Sequence, residues 1–152
     1  MATTKTYRFP ASVRWLSGRL TQVSVAGKHG LRVATPPEFR GGVEGVWSPE
    51  DLLVASAASC FAVTLVALAE RRGVPLRALE VDGAGEVSRR DDGQFGFVAI
   101  DLDVRLDTEP GYEKSALEAI EAAERGCLVA MALDVPVRVR PEVGIPAAAL
   151  AS

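Results

Sequence analysis

With 152 residues, 16.1 kDa and 48% apolar side chains, the chain is one domain in length and can build a core without covalent staples. Two cysteines are too few for a disulfide scaffold, and 17 basic against 20 acidic residues argue against nucleic acid as a partner. A charged fraction of 24% and a mean hydropathy of +0.15 exclude a disordered chain.

Up to Pro37 the charge is one-sided: Lys5, Arg8, Arg14, Arg19, Lys28 and Arg32 are basic and nothing is acidic. A targeting peptide has this composition. Here, however, the basic residues sit among apolar ones (Tyr7, Phe9, Val13, Trp15, then Leu20, Val23 and Val25) at the period of strands, so they are expected on the solvent face of a sheet. Strands are predicted over Thr6–Trp15, Leu20–Val25 and Leu31–Ala34.

A helix follows over Pro49–Arg72. Ser48 suits the N-cap, Pro49 the first helical position and Asp51 the positive end of the macrodipole. Arg71 and Arg72 fall in the last turn, and Gly73 is the left-handed stop. From Leu52 to Ala69 no charge occurs, which approaches the length of a membrane span. Its Ala and Ser content points instead to a helix buried on most sides of a soluble domain, with no membrane partner.

Strands are predicted over Ala78–Arg89 and Gly96–Asp107, joined by a hairpin at Asp92-Gly93. Gly83-Ala84-Gly85 inside the first reads as a bulge or kink. A second helix, Tyr112–Arg125, would present Leu117 and Ile120, with Ala116 and Ala123, and end at Gly126. A short apolar run, Leu128–Leu133, precedes a closing strand over Val135–Arg140. This order, without regular βαβ alternation, predicts an α+β fold with a largely antiparallel sheet around a long buried helix. One domain is expected over residues 1–141, with a loosely packed tail over 142–152.

The chemistry is constrained first by what the chain lacks. The single histidine, His29, stands beside Gly30 in a predicted turn, and no Cys or His spacing fits a metal site. No phosphate loop is present, and no cofactor is expected. Cys60 and Cys127 remain, and a free cysteine is most often a small buried hydrophobe. Two features set these apart. Cys60 lies among small residues that let another segment approach, whereas Cys127 opens an apolar segment where main-chain N–H groups would favour a thiolate. A dithiol couple is one outcome and structural packing the other.

Ser48-Pro49-Glu50-Asp51-Leu52-Leu53, continuing through Ala57-Ala58-Ser59-Cys60-Phe61, resembles the central-helix signature of the OsmC/Ohr family of thiol-dependent peroxidases. Ala123-Glu124-Arg125-Gly126-Cys127-Leu128-Val129 resembles the family's second cysteine motif. The resemblance implies an intertwined cytoplasmic homodimer that reduces organic hydroperoxides, with Cys60 peroxidatic, Cys127 resolving and a lipoyl-type dithiol as reductant. A mid-helix Cys60 gains nothing from its own helix's N–H groups, and burial would raise its pKa, so it needs a cation. The resemblance assigns Arg40 in Phe39-Arg40-Gly41-Gly42 to that role, held by Glu50, with Arg19 as the substitute. Phe39, Trp47, Phe61 and Met131 are candidate walls of the substrate mouth, or else plain core. The rival reading is a non-catalytic or acyl-binding module of the hot-dog type with structural cysteines. A thiol sensor without turnover is a third.

Overall fold

The computed structural model describes residues 4–146. The chain divides after Leu52 into two compact units, where the sequence had pointed to one domain. The first holds an antiparallel sheet in the order β1 (Ser12–Ser17), β2 (Leu20–Ser24) and β3 (Leu31–Ala34). The β1–β2 turn is made at Gly18, whose φ of +51° suits a residue without a Cβ, and Gly18 O accepts a hydrogen bond from the Trp15 indole. β1 is shorter than the predicted strand, and both its faces are open: Val13 and Trp15 are as exposed as Arg14. After β3 the chain forms a strap that returns to it, with Val43 N–H on Thr35 O, Ala34 N–H on Trp47 O, and Trp47 bridging to Val33.

Helix α1 (Pro49–Arg71) begins in a reciprocal cap: Ser48 Oγ accepts the Asp51 N–H at 3.0 Å, and the Ser48 N–H donates to Asp51 Oδ2 at 2.8 Å. It ends at Gly73, with φ +65°, where the N–H of Gly73 reaches Glu70 O and that of Val74 reaches Ala69 O. By length and composition α1 could cross a membrane. The expectation of burial on most sides needs correcting, because within this chain α1 buries a single stripe, Ala57, Phe61, Leu65 and Ala69. Their four-residue spacing puts one side of the helix in the core, while Val63 and Val66 on other sides stay exposed.

The second unit supplies that core. β4 (Leu76–Arg89) and β5 (Phe95–Thr108) form a long hairpin closed at Gly93, and β6 (Val137–Gly144) pairs with β5 in parallel. Alternation on β5 sends Ile100, Leu102, Val104 and Leu106 inward. On the other face charges alternate across the strands, with Arg105 on Glu80 and Asp82, Arg138 on Asp101 and Arg140 on Asp103. Helix α2 (Glu113–Gly126) adds Ala116, Ala119, Ile120 and Ala123 to the cluster. Leu117 is not on that face and is exposed, since one residue's rotation from Ala116 carries it out of the buried stripe.

Gly83 and Gly85 mark no bulge; the register shifts fall elsewhere, at Leu76/Ala78 and Glu86/Val87. They permit a close approach of α1. A Cβ on Gly83 would stand 2.8 Å from Val54 Cγ1, and one on Gly85 would stand 2.7 Å from Val54 Cγ2 and 2.6 Å from Phe97 Cε1. The loosely packed tail expected from residue 142 also needs correcting. Glu142, Val143 and Gly144 are strand residues paired with Arg105, Leu106 and Asp107, and the last six residues lie outside the described range.

Candidate active site

The thiols meet where three helical segments converge. Cys60 lies on α1 one residue before Phe61 and is half-buried. Cys127 is fully buried in extended backbone (φ −72°, ψ 108°) between α2 and the short helix α3 (Leu128–Ala132), and its carbonyl accepts the Met131 N–H at 3.0 Å. Both are free thiols, and they are near enough for each to shift the other's ionisation.

Their electrostatic environments are opposite. Burial pushes the Cys60 thiol up, but it is outweighed by donors aimed at the sulfur: the backbone N–H of Val129, the Cys127 thiol, the backbone N–H of Leu128 and the Thr64 hydroxyl. Cys60 therefore sits below the ordinary thiol value. Burial also pushes Cys127 up, and there the neighbouring Cys60 adds to the rise, so the N–H groups of Ala130 and Val129 offset it only in part. The main-chain donors thus favour Cys60 as thiolate rather than Cys127, contrary to the sequence expectation. A mid-helix cysteine has no orphan N–H groups of its own, but the α2–α3 junction brings them from another segment.

The other candidates with charge belong to the first unit. Arg40 is exposed in the strap, in turns closed by Phe39 N–H on Pro36 O and Gly42 N–H on Phe39 O. Arg19, from the β1–β2 turn, lies across the next residue: a Cβ on Gly41 would meet its Cγ at 3.2 Å and its Nε at 3.7 Å. The two rival arginines are thus brought to one strap. Glu50 is in the first turn of α1, with Oε2 buried and unpartnered among the described residues.

The sequence profile of the family described as OsmC-like protein matches residues 42–142, about two-thirds of the chain. The chain belongs to the OsmC-like protein family. A curated relative, the uncharacterized protein YmaD of Bacillus subtilis, is 26% identical over 117 residues, covering 74% of this chain and 77% of the relative. An OsmC-like protein of unknown function from Vibrio cholerae has the same fold, with a TM-score of 0.82 at 14% identity over 90% of this chain and 100% of that one. An organic hydroperoxide resistance protein from Legionella pneumophila superposes with a TM-score of 0.73 at 22% identity, covering 93% and 99%.

Within this OsmC-like chain the four apolar candidates separate. Phe61 is 1% exposed and is part of the core with Leu65, Ile100 and Leu102, so it offers no wall to a substrate. Met131, on α3 close to Cys127 in sequence, is 67% exposed and available. Phe39 and Trp47 are exposed on the strap of the first unit. His29 is on an exposed loop. Sequence reasoning missed Thr64 and the donors of Leu128 and Val129. The first was detectable, since Thr64 follows Cys60 by one helical turn; the second depended on the chain's return to α1.

Proposed function

We propose that this protein is a cytoplasmic thiol-dependent peroxidase that reduces organic hydroperoxides to alcohols. The observation carrying this reading is the adjacent pair of thiols with opposite shifts, Cys60 down and Cys127 up. A peroxidatic thiol has to be ionised near neutral pH, whereas a resolving thiol is needed only afterwards. The Cys60 thiolate attacks the distal peroxide oxygen. An S–O bond forms as the O–O bond breaks, the distal oxygen keeps its hydrogen as the sulfenic OH, and the leaving alkoxide takes up a proton to become the alcohol.

Oxidation removes the Cys60 negative charge, and with it one of the causes that hold Cys127 protonated. Cys127 then attacks the sulfenic sulfur, an S–S bond forms, and hydroxide leaves to be protonated to water. A dithiol, lipoyl-type in this reading, returns two electrons by exchange and restores both thiols. Arg40 orients the peroxide and Glu50 holds the guanidinium. The buried, unpartnered Oε2 of Glu50 supports this, since a buried carboxylate oxygen ordinarily has a donor. Arg19, lying across Gly41, is the substitute.

The assembly in this reading is a homodimer. Val63 and Val66 on α1, and in the first unit Tyr7, Phe9, Val13 and Trp15, are apolar side chains exposed to solvent that a second copy would cover.

Cumene hydroperoxide consumption with a dithiol reductant tests the chemistry in wild type, Cys60→Ser and Cys127→Ser. Turnover is expected to be lost in both variants, with a sulfenate trapped only in Cys127→Ser. Full activity in Cys60→Ser overturns the assignment. No turnover and no disulfide in the wild type would favour the acyl-binding alternative.

A further inference from the structure

Of the two methionines in the chain, Met131 is the one within the described residues, and it lies on α3, the short helix that follows Cys127. Helical spacing divides that turn into two sides. Val129 and Ala130 pack against the hydrophobic core, whereas Leu128 and Met131, three residues apart on one face, are 75% and 67% exposed. The main chain beneath them is anchored: the Met131 N–H donates to Cys127 O at 3.0 Å, and the Leu133 N–H to Ala130 O at 3.2 Å. Met131 therefore presents its thioether to solvent from a fixed backbone, outside the core cluster.

A thioether has no proton to lose, so its sulfur is nucleophilic toward peroxide oxygen without the ionisation that a thiol requires. In a core, oxidation would force a polar S=O among apolar groups. At Met131 the added oxygen faces water. We propose that Met131 is a second site of reaction with organic hydroperoxides, converted to the sulfoxide on the folded chain. The sulfur attacks the distal peroxide oxygen, and an S–O bond forms as the O–O bond breaks. The alkoxide leaves and takes up the proton from the transferred oxygen, giving the sulfoxide and one alcohol; sulfur loses two electrons and the hydroperoxide gains them. This step needs neither Cys60 nor Cys127 and so goes beyond the peroxidase reading. It makes one of the two exposed positions on the Leu128–Met131 face polar and leaves Val129 and Ala130 in place. Enzymatic sulfoxide reduction would reverse it.

The test is treatment of the intact wild-type chain and of Cys60→Ser with a large excess of tert-butyl hydroperoxide, without reductant, both natively and in urea. Gain of one oxygen on the Met131 peptide is followed by mass spectrometry. The native rate is expected to lie within about threefold of the rate in urea, and to be the same in wild type and Cys60→Ser. Near-UV circular dichroism of Cys60→Ser is expected to stay unchanged as Met131 is oxidised. A native rate slower than that would mean that Met131 is covered in solution, and the proposal fails. Loss of the near-UV signal would mean that the side chain supports the packing, and it fails likewise. Protection of Met131 in Cys60→Ser alone would mean that the oxygen arrives by way of Cys60, which overturns direct attack. Hydroperoxide consumption by the wild type with a dithiol reductant reports separately on the peroxidase reading.

Discussion

At the scale of residues, the asymmetry between Cys60 and Cys127 has a definite pH signature. Cys60 is held below the ordinary thiol value and Cys127 above it, so as pH rises Cys60 is expected to ionise and alkylate before Cys127. Cys127 is also one of the donors that favour the Cys60 thiolate. Cys127→Ala is therefore expected to raise the Cys60 midpoint by a few tenths of a pH unit, measured by thiolate absorbance near 240 nm. The linkage to folding has a sign as well. The lowered Cys60 stabilises the fold at pH above the unfolded thiol value, and this is lost as pH falls through its folded value; the raised Cys127 stabilises below the unfolded value and is lost as pH rises through its own. The two contributions therefore oppose each other in alkali. If Arg40 activates Cys60 as proposed, the Cys60 titration is expected to shift upward in Arg40→Ala and to stay put in Arg19→Ala; the opposite pattern would transfer the role.

Elements are set by local rules that can be broken one at a time. The cap of α1 joins Ser48 and Asp51 through two hydrogen bonds, with Ser48 itself buried. Ser48→Ala is expected to cost about 1 kcal/mol, seen as a lower urea midpoint with an unchanged slope. Packing of α1 on β4 depends on the absence of side chains at Gly83 and Gly85. Gly85→Ala forces its Cβ between Phe97 and Val54, and the displacement is expected to cost about 1–3 kcal/mol. Adding Val54→Ala removes one of the two clashing groups, so the double variant should destabilise by less than the sum of its parts, a coupling a thermodynamic cycle would detect. Additive effects would mean the glycine serves backbone freedom rather than close approach.

On the scale of the whole molecule, the open question is what covers the apolar residues that this chain leaves in water. Val63 is 66% exposed on an otherwise apolar helix, and Trp15 is 70% exposed on β1. A second copy is the proposed cover, so sedimentation should give about twice 16.1 kDa. Val63→Asp is expected to shift the mass to the monomer without unfolding the chain, because the side chain makes little contact within its own fold. A wild-type mass of 16.1 kDa would remove the dimer from the reading.

Much of the fold was legible because its signals are local. The cap at Ser48, the stop at Gly73, the turn at Gly93 and the alternation along β5 depend on neighbours a few residues away, and the predicted elements agree with those observed to within a few residues except along β1. The two cysteine motifs were equally local, and with them the family. What only the tertiary structure decided depends on segments distant in sequence. Parallel pairing of β6 with β5, the exclusion of Leu117 from the core and the role of Gly83 and Gly85 all follow from which surfaces meet. The same holds for the thiols. A hydrogen bond and a desolvation penalty are properties of a place, and the place of Cys60 is completed by the backbone of Leu128 and Val129, which reach it only when the chain has folded back onto α1.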